Sequence, residues 1–260
     1  MLIATWNVNG IRARSQRLAE WLAERKPDVA CLQELKITED EFPHLELRAS
    51  GYHAVISGQQ SWNGVAVIAK ERPLLVMKEL PGAAAHGARF VAAKVCGIEV
   101  VSVYIPNGKS TSHPDFKLKL EWLGALAKHV EERADKEAPL VVAGDFNVCF
   151  TDNDSYGGVR FHGKCHHTDE ERALVARLRD AGMVDLFRAK YPDTITYTWW
   201  DYRAGSFHKN EGMRLDLLWA TPAVARRVKD VYVDREYRKK HKVSGAIPSD
   251  HAPVIAVLDD

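Results

Sequence analysis

Apolar, strand-like runs in this chain repeatedly end in an acid, an amide or an imidazole. Ala4 to Trp6 leads to Asn7, Val29 to Gln33 to Glu34, Leu140 to Gly144 to Asp145 and Asn147, Arg214-Leu215 to Asp216, and Pro248-Ser249 to Asp250 and His251. Strand ends gathered at one sheet edge can form an active site. Oxygen donors dominate this set, which favours a hard divalent cation such as Mg2+ over zinc, whose preference is for nitrogen and sulfur. A buried, unpaired carboxylate at Glu34 would cost several kcal/mol, roughly the desolvation penalty of a charge, and a bound cation removes it. Asp250, fixed between Pro248 and Pro253, supplies a second carboxylate, and Mg2+ typically takes one or two from a protein.

Acid–base and anion-binding groups accompany these carboxylates. Asp145 and Asn147 stand two residues apart, so on an extended chain they point to the same side, one able to deprotonate a water and the other to donate to an anionic oxygen. Gly144 before them permits close approach of another group. Tyr104 ends an apolar run just ahead of Asn107-Gly108-Lys109, a donor-rich turn suited to phosphate. Asp216 lies in an apolar strand and needs a partner there. His251 can be that partner, and an Asp–His pair raises the imidazole pKa. Each residue also has an ordinary structural reading: a surface acid, turn-forming Asp and Asn, a half-buried tyrosine, an Asp-His dipeptide on a loop.

The elements that must carry these groups alternate between strands and helices. Ser15 to Arg25 has helical spacing, and Pro27-Asp28 stops it before a strand over Val29 to Gln33. Strands are predicted over Gly64–Ala69, Phe90–Val95 and Glu99–Ile105, the last two forming a hairpin at Cys96-Gly97. A helix follows over Phe116–Ala134, with Phe116, Leu120, Leu123, Leu126, Ala127 and Val130 facing inward. Thr168 to Glu171 reads as a capping box opening a helix closed by Gly182. The polar segment from Asp152 to His167 is longer than an ordinary connection, and a second polar loop runs from Tyr202 to Gly212. Hairpins mixed with helical crossovers predict mixed sheets with helices outside. No repeat or linker divides the chain, so one domain over residues 1–260 is expected.

Composition bounds the alternatives. The chain has 260 residues, 46% hydrophobic and 27% charged, with a formal net charge of +1. That balance gives no global attraction to polyanions, so any nucleic-acid contact must be local. The four cysteines show no CxxC spacing and fit a reducing, cytoplasmic compartment. The first apolar run is too short for a signal peptide or a membrane span. No GxGxxG or GxxxxGK[ST] loop is present, which removes the usual nucleotide-cofactor signatures.

Taken together, Trp6-Asn7-Val8-Asn9-Gly10-Ile11-Arg12, Leu32-Gln33-Glu34-Leu35-Lys36, Gly144-Asp145-Phe146-Asn147, Gly182-Met183-Val184-Asp185, Arg214-Leu215-Asp216 and Pro248-Ser249-Asp250-His251-Ala252-Pro253 resemble the exonuclease III family of DNA-repair AP endonucleases, in family order from the first strand to the last. The resemblance implies a DNase I-like α/β fold, a four-layer sandwich of two packed mixed β-sheets flanked by helices. It implies Mg2+- or Mn2+-dependent cleavage of phosphoester bonds by a monomer acting, away from membranes, on double-stranded DNA with 3′ ends, nicks or abasic sites. By the family pattern Glu34 is the principal metal ligand, with Asn7 and Asp250 beside it. Asp145 activates water, Asn147 holds the scissile phosphate, Tyr104 stabilises charge, and His251, buttressed by Asp216, contacts a nonbridging oxygen. Arg12, Lys36, Asn107 and Lys109 match backbone-contacting positions, Trp199, Met213 and Leu215 match the pocket for an extruded sugar, and Arg203 is a candidate DNA contact beside them. The basic run Arg238 to Lys242 is a further candidate DNA contact.

The chain departs from the pattern before the capping-box helix. Where many relatives in the resemblance carry a small residue and then Phe, Cys165 is followed by His166 and His167. A bulky imidazole there would crowd a flipped abasic nucleotide, so 3′-phosphatase and 3′-to-5′ exonuclease activity are expected to outweigh AP-site incision; two solvated loop imidazoles are the plain alternative. Other readings are a full AP endonuclease with secondary 3′ activities, a lipid phosphoesterase of the same superfold, and a non-catalytic DNA-end binder.

Overall fold

The structure, a computed structural model, describes residues 1–241 and 244–259. Two six-stranded sheets form its centre. In one, the strands run in the order Val228–Val233, Val254–Leu258, Leu2–Asn7, Val29–Gln33, Val65–Ala69 and His53–Ser57. In the other the order is Leu74–Met77, Phe90–Val95, Ile98–Tyr104, Leu140–Asp145, Asp216–Ala220 and Val184–Asp185. Each sheet is mixed, with one parallel pair: Leu2–Asn7 beside Val29–Gln33, and Ile98–Tyr104 beside Leu140–Asp145.

Side-chain alternation divides each strand between two cores. Ile3, Val29, Cys31, Val65 and Val67 face Val91, Ala93, Val100, Val141 and Ala143 of the opposite sheet. The alternate residues Ala4, Trp6, Ala30, Leu32, Ala66 and Ile68 pack outward on the helix Ile11–Arg25. On the other side Phe90, Val101, Leu140 and Val142 pack on Trp122, Leu123, Leu126 and Val175 of the helices Pro114–Arg133 and Asp169–Asp180. The result is the helix–sheet–sheet–helix sandwich. Strands buried on both faces explain why these runs are continuously apolar. Between the sheets a buried polar chain fixes their relative position: Thr5 donates to Gln33 at 3.2 Å, and Gln33 donates to Ser102 at 3.1 Å.

Most elements fall where the sequence places them, including the hairpin at Cys96-Gly97 and the capping box in which the Thr168 side chain accepts from the Glu171 amide. Two details differ. The first helix starts at Ile11 rather than Ser15, directly after Gly10 at φ 98°. The helix Pro114–Arg133 buries Lys119 and Trp122, while Phe116 and Leu120 are only half-buried. All four cysteines are free, and among the described residues no helix is long and apolar enough to cross a membrane.

The long polar segment after Phe150 is anchored by buried charge. Arg214 donates to Asp154 at 2.7 Å and to Asp185 at 2.8 Å, Arg188 adds a bond to Asp154 at 2.5 Å, and the Arg214 amide reaches the Asp154 carbonyl at 2.7 Å. This network fixes the chain immediately before Asp216. Burial raises the Asp154 pKa, but the Arg214 and Arg188 charges and hydrogen bonds outweigh it and bring it to about 2, below its ordinary 3.8. A depressed folded value means stability present above pH ~4 and lost as the pH falls through ~2, on the order of 2 kcal/mol in total, with roughly half gone by pH 3. We therefore expect the stability gap between the wild-type chain and Asp154→Asn, measured by chemical denaturation, to narrow by about 1 kcal/mol between pH 6 and pH 3. A gap independent of pH would contradict this assignment.

Candidate active site

Strand register assembles the site. Tyr104 pairs across the parallel ladder with Asp145, and Asp145 pairs across the antiparallel ladder with Asp216, so the three form one row at the edge of the second sheet. Gly144 allows this: its φ is 156°, and a Cβ there would lie 1.9 Å from the Val103 carbonyl oxygen. From the first sheet, Asn7 ends one strand and Glu34 follows the end of its neighbour. Trp199 bridges to His251 and pairs with Met213. A pocket of about 220 Å³ opens there, lined by Glu34, Tyr104, Asn107, Asp145, Asn147, His166, Trp199, Met213, Leu215, Asp250 and His251.

The carboxylates are held by specific donors. The Asn7 carboxamide donates to Glu34 at 2.8 Å and to Asp145 at 2.9 Å, while its oxygen accepts from the Asn9 amide. The other oxygen of Asp145 accepts the Asn147 amide at 2.9 Å. Lys36 reaches Glu34 at 2.9 Å and Asn9 at 2.5 Å. Asp250 accepts from Asn9 at 2.9 Å and from the Trp199 indole at 3.0 Å. Asn147 donates to the Ile105 carbonyl at 3.0 Å and accepts from Asn107 at 3.2 Å, which fixes the carboxamide and leaves its second N–H for an anion.

Electrostatics separates the roles. Burial, with the nearby charges of Asp216 and Glu34, pushes Asp145 up to about 7 against the opposing effect of His251. Burial lowers the His251 imidazole pKa, but Asp216, 2.8 Å from Nδ1, and Asp145, 3.8 Å from Nε2, raise it to about 10. Burial and the Glu34 and Asp145 charges hold Tyr104 well above the usual phenol value, so it stays a donor. Asp250 sits below the usual carboxylate range: burial raises it, and the His251 charge and the bonds from Trp199 and Asn9 more than offset that. Ligand atoms of Glu34, Asp145 and His251 lie within 4.8 Å of one another. With His251 held as a cation, the oxygens are what remain for a metal. Glu34 and Asp145 converge at the cost of mutual repulsion, and a hard divalent cation fits that donor set.

Several candidates from the sequence lie elsewhere. His166 lines the pocket, whereas His167 is turned away, its ring packed edge-on to Phe161 at 5.4 Å with Nδ1 against the Cys165 carbonyl. Arg12 pairs with Glu41 and Arg203 with its neighbour Asp201 on the exposed surface, whereas Lys109, paired with Asp115, lines the wider groove beside the site. Arg238 is buried and donates to the Asp250 and Trp200 carbonyls, so it supports the Asp250 loop instead of facing a ligand. Lys242, at the end of that basic run, lies outside the described residues. A wider groove of about 730 Å³ adjoins the site, sharing Glu34, Tyr104 and Asn107 and adding Lys36, Arg89 and Trp62. Trp62 is 74% exposed there, and neither it nor Arg89 belongs to a strand-end pattern that the sequence displays. Asn9 stands within one of the family motifs, but its link to Asp250 depends on the fold.

A two-sheet sandwich with clustered carboxylates, an Asp–His pair and fixed donors at one sheet edge defines a phosphoester-hydrolase type of site. The model of the endonuclease/exonuclease/phosphatase family matches residues 4–251. Exodeoxyribonuclease III of Haemophilus influenzae is 32% identical over 269 residues, covering 98% of this chain and 99% of that protein. Two solved structures superpose over all of both chains: a 3′ phosphatase, NExo, from Neisseria bound to product DNA hairpin, at TM-score 0.93 and 39% identity, and an AP endonuclease from Archaeoglobus fulgidus, at TM-score 0.94 and 34% identity. The chain belongs to the endonuclease/exonuclease/phosphatase family, in its exonuclease III branch, and is an enzyme of the nuclease/phosphatase type.

The Asp216–His251 pair has a measurable signature. A raised folded pKa contributes stability that is fully present below the ordinary 6.5 and lost as pH rises through about 10. Asp216→Asn should move the His251 titration, followed by imidazole NMR, back toward neutrality. An unshifted titration would show that Asp216 does not hold the charge.

Proposed function

We propose that this enzyme cleans 3′ ends of duplex DNA as a Mg2+-dependent 3′-phosphatase and 3′-to-5′ exonuclease, with AP-site incision restricted by His166. The observation that carries this reading is the His166 ring on the wall of the pocket formed with Trp199, Met213 and Leu215, its Nδ1 2.5 Å from the Asn147 carbonyl. Burial, reinforced by the Lys119 charge, pulls the His166 pKa down to about 3, so the imidazole stays neutral and adds bulk without charge. The solved relatives include a 3′ phosphatase with bound DNA and an AP endonuclease, and both activities use a phosphoester at a sugar 3′ oxygen. A reducing, cytoplasmic setting and action as a monomer complete the proposal.

In the reaction, Asp145 accepts a proton from the water that attacks phosphorus, and burial beside the Asp216 and Glu34 charges raises its proton affinity above that of an ordinary carboxylate, as a base needs. The P–O bond to the 3′ oxygen breaks, and the departing oxygen takes up a proton. His251 and the free N–H of Asn147 face the negative charge that grows on the phosphoryl oxygens, with Tyr104 as a further donor. Glu34 would be the principal ligand for the metal, with Asp250 as a further oxygen donor, while Asn7, which the sequence placed among the ligands, turns its carboxamide nitrogen to Glu34 and Asp145 and its oxygen to the Asn9 amide, and so would orient the carboxylates. When bound, Mg2+ supplies Lewis-acid polarisation and charge neutralisation at the phosphate. Lys36, Arg89, Asn107 and Lys109 flank the groove and would meet the DNA backbone.

Chelation should abolish phosphate release from a duplex with a 3′-phosphate nick, and Mg2+ should restore it. Asp145→Asn should lose turnover while retaining DNA binding. His166→Gly should raise incision at an internal abasic analogue by roughly tenfold to a hundredfold, since overpacking costs typically 1–3 kcal/mol, and His167→Ala should leave that rate unchanged. Glycine suits position 166 because its φ is 74°. Equal wild-type rates on the two substrates, or no gain in His166→Gly, would overturn the restricted-incision reading.

A further inference from the structure

A buried ammonium behind the pocket has no part in the chemistry above. Lys119 and Glu171 are both 0% exposed and paired with each other. The Lys119 Nζ also donates to the Asn147 carbonyl at 2.6 Å and the Asn107 carbonyl at 3.2 Å, and lies 3.3 Å from His166 Nδ1. Glu171 accepts the His166 amide at 3.0 Å through one oxygen, and through the other the amide and hydroxyl of Thr168 at 3.0 and 2.9 Å. Cys165, His166 and Glu171 have the mutual spacing of metal ligands, but the ammonium already takes that place. Gly108 is fitted over the lysine stem: a Cβ there would come within 3.0 Å of Cδ.

An apolar pair of equal volume would hold two helices together at least as well as a buried ion pair. An ammonium can do something further, which is to tie carbonyl oxygens of separate segments to one point. The segments tied here need it, because Asn147 at φ 50° and His166 at φ 74° are both in the left-handed region, which persists only where the surroundings over-determine it. We propose that Lys119 and Glu171 are positioning residues: the ammonium fixes the Asn147 backbone and the carboxylate fixes the His166 backbone, so that the phosphate donor and the pocket wall keep their places. The chemistry served is that of the proposed function, whereas the positioning itself is a property of the fold.

The test is the full chain carrying Lys119→Met with Glu171→Gln, which leaves no lone buried charge. Two measurements are made: amide hydrogen exchange, and kcat and KM for phosphate release from a 3′-phosphate nick. Exchange should rise around residues 147–149 and 166–168 while the two helices stay protected. The kcat should fall by about tenfold to a hundredfold, the scale of a small misplacement of reacting groups, with KM for DNA nearly unchanged. Asn147→Ala should cost less in this background than in the wild-type chain, the non-additivity of residues acting as a unit. Unchanged exchange with additive costs overturns the proposal. Raised local exchange in a chain whose wild type releases no phosphate would uphold the positioning and refute the proposed function. If the double variant does not fold, Glu171→Asp, which keeps both charges of the pair and draws the carboxylate back by one methylene from the His166 amide, is put through both measurements, with the same results expected and the same results overturning the proposal.

Discussion

Two carboxylates from different sheets, Glu34 and Asp145, are held against one carboxamide, that of Asn7, at 2.8 and 2.9 Å. The contact ties the sheets together at the point where their strand ends meet, and it concentrates like charge in a largely buried place. Neutral donors orient the carboxylates but do not cancel their repulsion, so cations must be nearby: Lys36 beside Glu34 and His251 beside Asp145. The rest of the architecture preserves this convergence. The row Tyr104–Asp145–Asp216 depends on the register of two ladders, and a slip of one residue would turn every side chain of a strand to its other face. The buried chain from Thr5 through Gln33 to Ser102 sets the alignment between the sheets at the same level.

Strand-borne groups were legible in the sequence because their environment leaves a pattern. A strand buried on both faces is continuously apolar, so the first polar residue at its end stands out, as at Asn7, Glu34 and Asp145. Asp216 announced its need for a partner in the same way, and His251 lies 2.8 Å from it. Loop residues leave no such period. Nothing local distinguishes His166, on the pocket wall, from His167, on Phe161, and the basic look of Arg238 conceals a side chain buried beneath Asp250. Arg12 and Arg203 have acids in reach, and their exposed pairs are set by geometry the sequence does not state. Lys119 did leave a trace: it precedes Trp122, Leu123 and Leu126 by three, four and seven residues, the spacing of one helix face. A lysine on an apolar stripe requires a buried counter-ion, but the inward face read from the sequence ran through Phe116 and Leu120 and passed Lys119 over, so the buried lysine went unread together with the acid that pairs with it. Glu171 was visible as a capping-box acid, a role that uses one carboxylate oxygen and leaves the other for the lysine.

Reactive and selective groups consequently rest on different supports. Asp145 and Tyr104 end paired strands and Asp216 begins one, so their positions follow from ladders that a point change elsewhere cannot easily shift. Asn147 and His166 stand on loops in left-handed backbone and depend on side chains beneath them. Strain of this kind persists at functional sites because neighbouring contacts over-determine it, and here the contacts converge on one ammonium and one carboxylate. A substitution at His166 can therefore alter the space of the pocket without disturbing the reacting row, particularly a change to glycine, which favours the backbone already present. Loss of the Lys119–Glu171 pair, by contrast, would move donor and wall together. Shape and catalysis are separable at the pocket surface and coupled one layer below it, because the same buried charge pair fixes the backbones of Asn147 and His166.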